Sequence, residues 1–203
     1  MIMKKPVIFL FSTAMLVMVS ILTITKTANS LPILYGGGAP SGYSGDPAGG
    51  DISCVSCHSG PAAVMQDGWI SSDIPLEGYR PDSTYTITAT ATKSGHAKFG
   101  FQVSPQNASG TFLGTLGNIN SDTKLTSNPN YITHTNEGTA GVDSKTWTFS
   151  WTAPSENSGT VNFYGAFLAT NQNGFNSGDT TYISVLAIDA HSTVGTDEKY
   201  FKS

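Results

Sequence analysis

Apolar and hydroxyl-bearing residues take turns along much of this chain. Tyr85, Ile87, Ala89 and Ala91 are separated by threonines, and Trp147, Phe149 and Trp151 are spaced the same way by Thr148 and Ser150. A period of two puts every second side chain on one face of an extended strand, so each stretch reads as a strand with one face in a core. Phe99, Phe101 and Val103 repeat the pattern, and residues 131–135 and 182–188 add two more strands. Residues 161–168 are apolar on both faces, which suits a central buried strand. Ala153-Pro154 stops the tryptophan strand, because proline cannot donate to the ladder. About seven short strands separated by turn residues, with no long helical period, predict a mainly β chain folded as an antiparallel β-sandwich over residues 79–190. The two strand tryptophans, Trp147 and Trp151, are read as core; Trp69 joins them as an aromatic that could wall a cofactor.

Ahead of the strands the composition changes. Residues 31–78 are rich in glycine and proline (Tyr35-Gly36-Gly37-Gly38-Ala39-Pro40-Ser41-Gly42-Tyr43) and read as irregular chain. One short helix is expected over residues 62–65. Within this segment stands Cys54-Val55-Ser56-Cys57-His58, which holds both cysteines of the chain. Cys-x-x-Cys-His is the attachment pattern of a c-type haem. The two thiols add to the porphyrin vinyls, and the adjacent imidazole, His58, binds the iron as proximal ligand.

The start of the chain bears on that reading. Lys4 and Lys5 precede an apolar run over residues 6–24, and a polar stretch follows with small residues at Ala28 and Ser30. This predicts a secretory signal over residues 1–30, cut after Ser30. Uncleaved, a run of that length would serve as a membrane anchor. Export places the chain in the periplasm, at the cell surface or outside the cell. Without the leader's Lys4, Lys5 and Lys26 it has 7 basic against 14 acidic residues. A net-acidic chain with no basic patch excludes nucleic acid as a partner. Charged residues make up only 12% of the chain, which favours exported β-structure over a helical bundle.

Two other fates are open to the cysteines. A disulfide between them would close too small a loop to stabilise much, and a thioredoxin-type pair belongs at the start of a helix in a βαβ unit, of which there is no sign. Zinc needs four ligands, and only Cys54, Cys57 and His58 are clustered.

The opposite axial position has four candidates after the leader: Met65, His96, His134 and His191. Met65 is tethered too closely to His58 to cross the porphyrin edge. His96 sits in a turn beside Gly95, a less favoured distal ligand. His134 lies on a strand in register with Ile132 and is the leading candidate. His191 lies in the C-terminal tail, residues 191–203. Tyr35, Tyr43 and the glycines beside them could cover a haem edge, since glycine permits close backbone approach.

The order of Gly36-Gly37-Gly38-Ala39-Pro40-Ser41-Gly42, the Cys-x-x-Cys-His motif, Lys98-Phe99-Gly100-Phe101-Gln102, Thr133-His134-Thr135 and Trp147-Thr148-Phe149-Ser150-Trp151-Thr152-Ala153-Pro154 resembles the exported bacterial "choice-of-anchor V" family. That family is similar to the Reeler domain, an immunoglobulin-like β-sandwich of reelin and ferric-reductase-related surface proteins. The resemblance implies that fold, with the haem segment ahead of it. It also implies a structural reading of His134, because Reeler domains keep a similar His-Thr pair without a haem motif. The function expected is that of a mono-haem electron carrier with one covalent haem c and redox partner proteins, not an enzyme. The alternatives are a secreted binding or adhesion module with a structural haem, and an open iron site that binds gases or peroxide.

Overall fold

In the computed structural model the described residues are 35–192; the predicted leader and residues 193–203 of the tail lie outside them. The described residues fall within one compact unit. Their strands are β1 (Val64–Met65), β2 (Ile70–Ser72), β3 (Thr84–Thr92), β4 (Phe99–Gln106), β5 (Thr115–Asn118), β6 (Thr123–Leu125), β7 (Ile132–His134), β8 (Ser144–Thr152), β9 (Val161–Ala169) and β10 (Thr180–Ile188). They form two sheets, ordered β1-β10-β9-β4-β7-β6 and β2-β3-β8-β5. Every pairing is antiparallel except that of β1 with β10. The chain is a mainly β sandwich, as its alternation requires. Among the described residues no helix is long and apolar enough to cross a membrane.

The core is aromatic. Trp147, Phe149 and Trp151 point inward from β8 and are at most 1% exposed. Phe101 stacks on Trp147 with ring centres 4.5 Å apart, while Trp151 meets Tyr79 and Phe163 edge-on. Each indole N–H finds a carbonyl, Trp147 donating to Gly138 at 2.7 Å and Trp151 to Leu113 at 2.8 Å. Buried indoles stay affordable only with such partners. Trp69 packs on Phe167 and Tyr182 at the side of this core.

Two details correct the sequence reading. The helix expected over residues 62–65 is absent: Val64 and Met65 form β1, whose register pairs Val64 with Tyr182. The open edge of β10 offers backbone partners there, extended by Gln66 N–H donating to Ile183 C=O at 2.8 Å, and these outweigh a weak local preference. The sandwich therefore takes in residues from Val64 onward, not only from 79. The short, polar strands β5 and β6 carry too little alternation to be read in advance.

The irregular N-terminal segment is an ordered cover. All eight residues of β4 are buried, because Phe99, Phe101 and Val103 face the core while Gly100, Gln102, Ser104 and Gln106 lie under this segment. Gln102 donates to the Pro40 carbonyl at 2.6 Å and accepts from Tyr43 N–H at 2.6 Å. Gln106 donates to Asp46 at 2.5 Å and accepts from Ala48 N–H at 3.1 Å. Asp46, fully buried, also takes hydrogen bonds from Gly49 N–H, from Ser44 and from the Tyr131 hydroxyl at 3.0 Å. A buried carboxylate so well supplied holds a loop as firmly as regular structure would.

Candidate functional site

Cys54–Ser56 forms a single 3-10 turn. The Cys54 carbonyl accepts from Cys57 N–H at 3.2 Å and from His58 N–H at 2.9 Å. One carbonyl therefore winds both cysteines and the histidine onto the same turn, and all three side chains line a cavity of about 490 Å³. That volume lies within the roughly 300–1,000 Å³ of pockets that enclose small molecules and cofactors. The floor is the outer face of the six-stranded sheet, where Gly100 of β4 pairs with Leu168 of β9. Tyr35, Gly36 and Tyr43 from the N-terminal cover line another wall, and Phe175 and Asp179 from the β9–β10 loop a third. Phe175 is 60% exposed at the rim.

The turn is sewn to the β9–β10 loop. Ser59 N–H donates to Asn176 C=O at 2.8 Å, Gly178 N–H returns to Ser59 C=O at 2.6 Å, and the Asn176 amide reaches Cys57 C=O at 2.6 Å. Gly60 lies so close to this loop that a Cβ on it would sit 2.2 Å from the Asp179 carbonyl oxygen. The seam brings Asp179 to His58, whose Nδ1 is 2.6 Å from the carboxylate.

His134, the last residue of β7, lines the same cavity and is 8% exposed. It lies across Gly100, where an added Cβ would come within 2.7 Å of the ring. Its Nδ1 is 3.1 Å from Phe101 N–H and 3.3 Å from Phe101 C=O. That nitrogen has a backbone partner in either tautomer. Burial pushes the imidazole down to about 4, and the positive charge of Lys124 acts in the same direction. The ring is therefore neutral at neutral pH, the form in which a histidine nitrogen can bind a metal.

The other distal candidates lie elsewhere. His96 is in a turn tied by Asp143, whose carbonyl accepts from Lys93 N–H and whose side chain accepts from Gly95 N–H, and its own Nδ1 contacts Ser94 C=O. Met65 is 54% exposed on β1. His191 sits against Glu77 C=O. None of these three lines the cavity.

The cysteines are free thiols, and burial raises Cys54 to about 12. That burial works against the thiolate a thioredoxin-type nucleophile needs. Among the described residues no three His, Cys, Asp or Glu side chains converge as a metal-ion site, so the donor set falls short of zinc. Two thiols on one turn, an imidazole beside them and a second neutral imidazole in the same cavity match the demands of a covalent haem. Asp179 and Phe175 escaped the sequence reading. An aspartate after Ser177-Gly178 reads as ordinary turn chemistry, and nothing local links it to a histidine 121 positions away.

Residues 70–185 match the model of a known family, the Reeler domain. The chain belongs to the Reeler domain family. The match includes His134 and Asp179 and leaves Cys54, Cys57 and His58 ahead of it, so the site joins the Reeler sandwich to a segment outside the matched region. Among solved structures, the Reelin-N domain of F-spondin is 16% identical, with 64% of this chain and 93% of that one covered and a TM-score of 0.49. The human F-spondin reeler domain is likewise 16% identical, covering 63% and 94%, with a TM-score of 0.47. No curated protein matches the chain.

Proposed function

We propose that the chain is an exported Reeler domain carrying one covalent haem c, which passes electrons to and from redox partner proteins in the periplasm or at the cell surface. The observation that carries this reading is the convergence of Cys54, Cys57, His58 and His134 on one cavity. Cys54 and Cys57 would hold the group through thioethers, and His58 would bind its iron. His134 would offer a second imidazole. A bound haem supplies exchange between ferric and ferrous iron. The protein's part would be to exclude water with Leu168 and to offer the charge of Lys98 to the group's carboxylates; both line the cavity. The export half of the reading draws on the leader and on Reeler domains being typically extracellular. The order of motifs supports placing the chain in the choice-of-anchor V group.

Family membership also favours a second reading, a binding or adhesion module in which the haem is structural. Protein matured with cytochrome c machinery tests both. The pyridine haemochrome spectrum is expected to show one covalent haem, abolished by Cys54→Ala with Cys57→Ala. A wild-type chain without covalent haem would overturn the proposal. Carbon monoxide should leave the reduced wild-type spectrum unchanged and bind once His134 is replaced by alanine. Reversible reduction by a small electron donor favours the carrier, whereas a haem that resists reduction yet raises the melting temperature favours the structural role.

A further inference from the structure

Asp179 lines the cavity without a part in attachment or ligation. Its side chain is only 1% exposed, against 19% for His58. One carboxylate oxygen meets His58 Nδ1 at 2.6 Å; the other accepts Asn171 N–H at 2.9 Å. Asn171 in turn donates to the Ser177 carbonyl at 2.9 Å, which closes the loop carrying Asp179. The carboxylate is thus held from behind, on a loop stitched to the turn that bears the histidine. Burying an unpaired carboxylate is costly, so a buried one aimed at a single imidazole nitrogen calls for a role.

We infer that Asp179 is the positioning residue of the haem-binding histidine: it takes the Nδ1–H of His58, turns the Nε2 lone pair into the cavity and sets how strongly that nitrogen donates to iron. The inference rests on the haem reading above. A carboxylate accepting from Nδ1 fixes the tautomer and makes the imidazole a stronger donor. Stronger donation favours ferric over ferrous iron, so the carboxylate holds the midpoint potential down. Among the described residues no other carboxylate lines this cavity, and Lys98, which does line it, has no ion pair with Asp179.

Two experiments separate this inference from the haem assignment. In haem-free full-length protein at about pH 8, above the ordinary histidine value, nitrogen–proton correlation spectra report the His58 tautomer. Wild type is expected to hold the proton on Nδ1, and Asp179→Ala to shift it towards Nε2; an unchanged tautomer overturns the inference whether or not haem is ever attached. In the matured protein, Asp179→Asn keeps an acceptor of the same shape without the charge. It should retain covalent haem by pyridine haemochrome and a folded circular dichroism spectrum, and raise the midpoint potential. A potential equal to wild type in both variants, with haem attached, overturns the tuning role and leaves the haem assignment standing. Absence of haem from wild type overturns the haem assignment, and the tautomer measurement still decides whether Asp179 positions His58.

Discussion

Gly100 lies directly beneath the His134 ring, and its lack of a side chain is what lets a histidine lie across the sheet. A Cβ there would meet the imidazole at 2.7 Å, closer than real contacts come. The ring is 8% exposed and bonded through Nδ1, so it cannot swing away freely. Gly100→Ala should therefore displace His134 and destabilise the protein by about 1–3 kcal/mol, the usual cost of overpacking a filled site. Urea unfolding measures the loss. In matured protein the same variant should admit carbon monoxide, as His134→Ala should.

At the scale of elements, β4 carries two roles on its two faces. Phe99, Phe101 and Val103 fill the sandwich core, while Gln102 and Gln106 clasp the N-terminal cover. Gln106 alone serves Asp46, Ala48 and Ser104. Gln106→Leu would leave the Ala48 N–H without its partner and take one donor from the buried Asp46 carboxylate. Each such loss costs about 1–3 kcal/mol. The expected result is a lower urea midpoint with faster amide exchange over residues 44–50, while the β8 and β9 amides stay protected. Exchange rising evenly across both sheets would contradict the clasp.

Across the whole molecule, buried tyrosines set the alkaline limit. Burial raises Tyr131, helped by the negative charge of Asp46 beside it, and burial also raises Tyr79 and Tyr164. The folded chain therefore keeps phenolic protons that the unfolded chain releases near about pH 10. Above that value the native state binds more protons than the unfolded one, so stability falls as pH rises. The melting temperature should be nearly flat from roughly pH 7 to 9 and then drop. Tyr131→Phe should lower it at neutral pH, through loss of the bond to Asp46, and soften the alkaline decline.

The two-residue alternation of β3, β4 and β8 and the doubly apolar run of β9 are local patterns, so fold class and core were legible in the chain itself. So was the cluster of Cys54, Cys57 and His58, because the three stand within five residues of one another. His134 was the leading distal candidate and Asp179 was not foreseen, yet the convergence of both with that cluster is a tertiary fact. It depends on β7 lying beside β4, on Gly100 leaving room, and on the β9–β10 loop being sewn to the cysteine turn through Ser59, Asn176 and Gly178. Alternation dictates which face a side chain takes, but only the order of strands and the seams between loops decide which faces meet.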